Sequence, residues 1–448
     1  MYVNSLKIEN LRCFREAEIV LKHPGNSPNL KFPNINLLLG DNGSGKSSVL
    51  KALALATLAP VLKGGSGLTL YRMVRNTSPA QKKLDDAELF AEVELHAQDL
   101  QEKSKKEIEP KKFEMNSRIR RLGHIEELEY IERENSEVPF GIYEDDKPAF
   151  LVVGYGVTRK VEDSVKAAIF ERGRSRRLRY QRVASLFEDN YGLIPLQSWL
   201  PEMETKNPGR YKQVVNLIDR VSPDDMGFRG KFHEDEFYFD FRETEMPFGA
   251  LSDGYRHFIG WIADLLYHIC MGCPSGKKLV DNKGLVLVDE IDLLLHPEWQ
   301  RNVLQTLSEM LPNLQFAFTT HSPIVASSVE HENIYVMEND ADGSAIIKQY
   351  NERTYGLSAE QILLSSYFGL TTTRPKSFVE QELQPLSEKA IAGDHQATIE
   401  FMEKISSPAD SVLPESFSGS PQTAATKVSR DKFKKLMQTY KDDVKRKK

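Results

Sequence analysis

Residues 40–47 read Gly-Asp-Asn-Gly-Ser-Gly-Lys-Ser, and no other stretch restricts the possible folds of this chain as tightly. An apolar run, Asn34–Leu39 (NINLLL), precedes the octapeptide, and a stretch of helical composition, Ser47–Leu58 (SSVLKALALATL), follows it. Strand, glycine-rich loop, helix is the context in which G-x-x-x-x-G-K-S holds a phosphate chain. The glycines let the backbone pass close to phosphate oxygens. The loop N–H groups and the helix N-terminus then face the negative charge. Gly40, Asp41, Asn42, Gly43, Ser44, Gly45, Lys46, Ser47 and Ser48 are therefore expected to cradle a nucleotide. In this arrangement Lys46 reaches the β- and γ-phosphates, and the Ser47 hydroxyl ligates Mg2+.

Such a loop works with groups delivered by neighbouring strands. Gly284–Glu290 (GLVLVDE) places Asp289 at the carboxyl end of an apolar strand, where it would hold the magnesium ion through water. Glu290 follows, placed to act as general base on an attacking water. A further apolar strand, Phe316–Thr319, runs into Thr320-His321-Ser322-Pro323, which puts His321 beside the γ-phosphate. Strands alternating with helices predict a parallel sheet covered on both faces. Hairpins at Val3–Asn10 with Glu16–Leu21, and at Asn333–Met337 with Ala345–Tyr350, add antiparallel strands. The expected fold is α/β, with a mixed sheet, an antiparallel β-subdomain and a helical subdomain.

Composition divides the rest. Residues 1–96 form a lobe with the phosphate loop. Residues 97–148, rich in lysine and glutamate, read as a charged, solvated insertion. Residues 149–250 read as mainly helical, 251–355 as the lobe carrying the acidic pair and His321, and 356–405 as helical. Residues 406–428, rich in Ser, Pro, Ala and Thr, read as a linker. In 429–448 a basic amphipathic helix aligns Phe433, Leu436, Met437 and Tyr440, either to dock on another protein or to pack on its own domain. No heptad pattern is sustained, so no long coiled coil is expected. A net charge of −6 gives no electrostatic signature of nucleic-acid binding. No apolar run approaches the roughly 20 residues a membrane span needs, and MYVNSLKIENLRCF lacks a signal-peptide core. Three cysteines point to a reducing cytoplasm, and the Cys270/Cys273 pair lacks the partners of a zinc site.

The order phosphate loop, acidic pair, histidine resembles that of the ABC-type ATPases, in their soluble RecF/SMC-like branch, over about residues 1–338. IDLLLHPEWQ (291–300) resembles the family's D-loop, which implies Asp292 at a dimer face. GALSDGYRH (249–257) stands in the place of the family's signature sequence. The resemblance implies that Ser252 and Gly254 complete the ATP site of a second copy, in a homodimer or higher homo-oligomer that sandwiches ATP and Mg2+. The signature departs from the family's LSGGQ at Asp253 and Tyr255. No glutamine stands out as the Q-loop, with Tyr71–Asn76 occupying roughly that region.

Purpose is less constrained. Tyr355–Arg374 (YGLSAEQILLSSYFGLTTTR) resembles a segment of defence-associated ATPases, those of the Septu anti-phage systems. That implies a partner HNH nuclease. Nuclease chemistry is expected on the partner, because after His321 the only D-x-D, Asp340 and Asp342, falls in the predicted hairpin turn. Arg172–Arg182 holds six arginines in eleven residues. Arg172, Arg174, Arg176, Arg177 and Arg179 fit either a nucleic-acid backbone or acidic neighbours and a subunit interface. A DNA-repair ATPase that binds DNA directly, and a nucleotide-gated scaffold with negligible turnover, remain alternatives at this point.

Overall fold

The computed structural model describes residues 1–406 apart from 64–65, 77–83, 101–108, 133–137, 146–147, 162–177, 224, 243 and 275. The expected linker and tail helix, and Arg172, Arg174, Arg176 and Arg177, lie outside the described residues. The chain divides into two compact units, Met1–Leu370 and Thr371–Lys448. The expected boundary at 355/356 therefore moves: Gly356–Leu370 belongs with the first unit.

The strands of the first unit run β1 (Tyr2–Glu9), β2 (Glu16–Val20), β3 (Ile35–Gly40), β4 (Asp86–Leu95), β5 (Lys111–Leu122), β6 (Ile125–Ile131), β7 (Val152–Tyr155) and β8 (Lys160–Val161). They continue with β9 (Gly192–Leu193), β10 (Met226–His233), β11 (Glu236–Phe241), β12 (Thr244–Pro247), β13 (Gly284–Val288), β14 (Leu314–Thr319), β15 (Ile334–Asn339) and β16 (Ala345–Lys348). A six-stranded sheet has the order β16-β15-β3-β14-β13-β7 and is parallel except for β16. A five-stranded antiparallel sheet has the order β2-β1-β4-β5-β6. A three-stranded meander, β10-β11-β12, stands apart.

The parallel strands are apolar on both faces, as sheets covered on both sides require. Side chains alternate between two cores. Ile35, Leu37, Leu39, Val286, Val288, Phe316 and Phe318 pack towards the helices Pro208–Val221, Asp253–Gly272 and Pro297–Met310. Leu38, Leu285, Leu287 and Ala317 face the helix Lys46–Leu62 and the antiparallel sheet. From Ala52 to Leu62 every residue of that helix is buried, which suits an element enclosed on all sides.

Two divisions read from composition change here. The lobes at 1–96 and 251–355 share one sheet, in which β3 lies between β15 and β14. The charged stretch 97–148 is not simply a solvated insertion: Lys111–Ile131 supplies β5 and β6, whose charges pair across strands, as in Arg118–Glu88 at 2.6 Å and Arg120–Glu129 at 3.0 Å. The stretch 149–250 is not mainly helical among the described residues, since Met226–Pro247 forms the meander, held by Phe228, Phe237 and Phe239. Among the described residues the longest helix, Asp253–Gly272, has 20 residues, and none is apolar and long enough to cross a membrane. Asp340 and Asp342 do occupy the β15–β16 turn, where Asp340 Oδ1 accepts from the Asp342 and Ser344 N–H groups.

In the second unit, helical segments at Gln384–Ile391 and His395–Ser406 pack together. The Arg374 guanidinium caps the second of them at the Lys404 and Ile405 carbonyls, at 3.0 and 2.9 Å.

Candidate nucleotide site

Four adjacent parallel strands, β3, β14, β13 and β7, end on one edge of the sheet, the edge where open α/β sheets bind ligands. Their carboxyl ends deliver the phosphate loop, Thr319–His321, Asp289-Glu290, and Tyr155–Arg159. Because β14 lies between β3 and β13, His321, half-buried, leaves the sheet between the phosphate loop and the acidic pair.

The loop has the geometry that its glycines allow. Gly40, Gly43 and Gly45 have φ of 145°, 80° and 105°. A Cβ on Gly40 would lie 2.6 Å from the Met337 carbonyl oxygen, and one on Gly45 would lie 2.6 Å from Cys13 Sγ and the Phe14 ring. Gly45→Ala combines this overlap with a left-handed backbone. It should cost roughly 2–3 kcal/mol of stability, read as a lowered Tm. An unchanged Tm would show that the loop has more room than this. Asp41, Asn42 and Gly43 are exposed at the tip, whereas Ser44, Lys46 and Ser48 are buried and Ser47 is half-buried. Lys46 Nζ donates to the Gly40 and Asp41 carbonyls at 2.8 and 2.9 Å, poised over the loop's own backbone. Burial lowers the Lys46 pKa, and the charges of Asp289, Glu290, Asp41 and Asp292 oppose that shift, which puts all four in its electrostatic surroundings. Ser44 Oγ is buried with no hydrogen-bond partner. A buried hydroxyl left over inside a phosphate loop fits an added acceptor.

Beyond β13 the chain makes a tight, left-handed turn. Thr319 Oγ1 donates to Asp289 Oδ1 at 2.5 Å and accepts from the Glu290 N–H at 2.7 Å. Glu290 and Leu294 have φ of 47° and 61°, a conformation that costs a non-glycine residue of order 1–3 kcal/mol. Thr320 Oγ1 donates to Asp292, tying the D-loop segment back to β14. Sequence reasoning left Thr319 and Thr320 as strand-end polar residues, although both are fully buried. It also missed Arg159, which is 4 % exposed and donates from Nη2 to the Glu290 carbonyl at 2.7 Å.

The Ser47 hydroxyl and the Asp289 carboxylate are hard oxygen donors, the kind Mg2+ takes together with phosphate and water. Among the described residues no group of three His, Cys, Asp or Glu side chains is arranged to hold a metal ion. Cys270 and Cys273 are free, buried thiols, and the carbonyls of both accept from Arg210, so this pair closes a helix end.

Ser252 occupies the N-cap position of the helix Asp253–Gly272 but makes no side-chain capping bond, and it is exposed. Gly254 is fixed by close approach, because a Cβ there would lie 2.6 Å from the Leu294 carbonyl oxygen. The start of this helix and the turn after Asp292 are therefore in direct backbone contact within one chain. Tyr71–Asn76 is held towards the antiparallel sheet: Val74 bridges to Leu11, and the Met73 N–H donates to Glu126 of β6. Arg179 is a correction as well. It is fully buried, and its guanidinium donates to the Ile142 and Glu144 carbonyls, so it offers nothing to a DNA backbone. Its neighbour Arg182 is equally buried, on the Phe150 and Pro148 carbonyls.

The chain is similar to known proteins. Residues 1–60 match an AAA ATPase domain family, and residues 35–327 match the family described as "AAA domain, putative AbiEii toxin, Type IV TA system". The "Septu protein PtuA" of Bacillus mycoides (strain KBAB4) is 25% identical over 378 residues, covering 84% of this chain and 46% of that protein. The protein of the same name from Bacillus thuringiensis is 31% identical over 140 residues, 30% of this chain and 35% of that one. The "Retron Ec83 probable ATPase" of Escherichia coli is 39% identical over 89 residues, 20% of this chain and 16% of that one. The chain thus spans less than half the length of each of these relatives. An Smc head bound to the C-terminal winged-helix domain of ScpA superposes with a TM-score of 0.47 at 14% identity, over 78% of this chain and 98% of that one. The second family match runs from the strand that opens the phosphate loop to the segment just past His321, well over half of the chain, and the chain belongs to that AAA-domain family of ATPases.

Proposed function

We propose that this chain binds MgATP in the loop 40–48 and hydrolyses it between two copies paired head to tail, as the cytoplasmic ATPase of an anti-phage defence complex. The observation that carries the reading is the meeting of four strand ends around Lys46, Asp289-Glu290 and His321. In the reaction a water oxygen bonds to Pγ while the Pγ–O bond to ADP breaks. Glu290 takes the water's proton, and ADP and phosphate leave. Lys46 and the loop N–H groups hold the phosphates, and His321 holds the γ-phosphate from the β14 side. Ser47 and Asp289 would hold Mg2+, which neutralises phosphate charge. Ser252 and the Gly254 backbone, with Asp292, act on the nucleotide of the other copy.

The resemblance to Septu ATPases supports a partner HNH nuclease, released or restrained as ATP is consumed. Direct DNA binding by the arginine stretch finds less support, with Arg179 committed to buried carbonyls. The purified chain should turn over ATP with Mg2+, and Lys46→Ala should weaken nucleotide binding by tenfold or more and abolish turnover. Equal binding by the wild type and Lys46→Ala would overturn the site assignment. Co-expression with the neighbouring gene product should give a stable complex that protects cells against phage. Recovery of free chain alone, with protection undiminished, would remove the partner.

A further inference from the structure

Residues Tyr155–Val161 cross from the end of β7 to the helix Asp253–Gly272. The Tyr155 hydroxyl donates to Asp264 Oδ2 at 2.8 Å, and its ring lies 5.4 Å from that of Trp261. A Cβ on Gly260 would lie 2.1 Å from Val161 Cγ2, so strap and helix touch where no side chain fits between them. Arg159 sits in the middle of this strap, with φ of 28°.

Its surroundings are one-sided. Burial lowers the Arg159 pKa to about 10, against the pull of Asp289, Asp292 and Glu290. A buried guanidinium is costly unless anions and acceptors compensate it. Here the compensation comes from the acidic residues of the nucleotide site and from the Glu290 carbonyl. On the other side, burial lowers the His257 pKa and the Arg159 charge adds to the shift, which places the guanidinium near the helix that begins with Ser252. Glu290 needs such a clamp. Its left-handed backbone is held at the N–H by Thr319 and at the carbonyl by Arg159.

We propose that Arg159 is the positioning residue for Glu290. Its donation to the Glu290 carbonyl holds the strained turn from which the carboxylate projects, and the strap Tyr155–Val161 joins that turn to the signature helix. The role is distinct from phosphate binding: Lys46 and the loop hold the nucleotide, and Arg159 acts through the peptide that follows Asp289. The proposal rests on the reading of Glu290 as general base.

The test compares Arg159→Met and Arg159→Lys, each alone and combined with Glu290→Gln. Steady-state ATP turnover, binding of a fluorescent ATP analogue with Mg2+, and Tm are read for each. Arg159→Met should lower kcat by tenfold or more, leave analogue affinity within about threefold, and add no further loss in the Glu290→Gln background, because both changes disable one unit. Arg159→Lys, which keeps a donor and the charge but not the planar fork, should fall between wild type and Arg159→Met. If Arg159→Met does not fold, Arg159→Lys carries the same comparison, with a loss of at least threefold that vanishes in the Glu290→Gln background. Turnover within twofold of wild type, or losses that multiply with Glu290→Gln, would overturn the proposal. A fall in analogue affinity matching that of Lys46→Ala would do so too. Glu290→Gln with full turnover would instead remove the base assignment, whatever Arg159 does.

Discussion

Glu290→Gln is expected to bind ATP as tightly as the wild type while turning it over about 10²–10⁴ times more slowly, the usual contribution of a positioned general base. The substitution keeps the side chain's shape and removes only its capacity to take a proton. The turn itself is held through backbone groups, the Glu290 N–H on Thr319 Oγ1 and the Glu290 carbonyl on Arg159, so it is insensitive to the change. With hydrolysis blocked, ATP bridging two copies persists, and a dimer should accumulate in light scattering on adding MgATP. Turnover within about threefold of wild type would mean that another group takes the proton. Normal slow turnover without dimers would separate the catalytic assignment from the pairing assignment.

Ser252→Arg addresses the pairing directly. Ser252 is exposed and makes no capping bond, so within one chain the substitution removes nothing. Exposed changes of this kind stay within about 0.5 kcal/mol in stability. ATP-dependent dimerisation should nevertheless be lost, and turnover with it, while nucleotide binding by the single chain is kept. Gly254 offers no comparably clean probe, because a side chain there meets the Leu294 carbonyl oxygen at 2.6 Å and disturbs the chain's own turn. If Ser252→Arg abolished nucleotide binding by the isolated chain, Ser252 would belong to its own copy's site. If dimers formed as before, the signature assignment would fail.

The parts of this site that sequence exposes are those whose chemistry is local. The octapeptide 40–47, the run GLVLVDE and the strand before His321 each carry their own context, and the structure brings them together on one sheet edge. Arg159 has no such context. It is one arginine after a short strand, and its partner carbonyl lies 131 positions away, across the pairing of β7 with β13. Thr319 is legible only as a strand end until burial shows that its hydroxyl links Asp289 and Glu290. Charge misled in two opposite ways. In Lys111–Ile131 it marked one solvent-facing side of a sheet, with Met115 and Ile119 on the buried side. At Arg179 and Arg182 it marked guanidiniums spent on interior carbonyls, because five donors in a fixed plane suit unpaired backbone oxygens as well as phosphates. The meander was hidden by its polar flanks, although Glu236–Phe241 (EFYFDF) alternates as a half-buried strand should.

The place of β3 between β14 and β15 also bears on when the site comes into being. During synthesis the octapeptide emerges early, but the strands that flank its stem, Leu314–Thr319 and Ile334–Asn339, emerge roughly 15–60 s later at ordinary elongation rates of about 5–20 residues per second. Until then β3 has neither neighbour and the loop has no rigid base. The ability to hold nucleotide is thus acquired only once the chain has been made through Asn339, in a topology dominated by pairings distant in sequence, which fold slowly. A chain released before the β15 strand would contain every residue of the loop and none of its geometry.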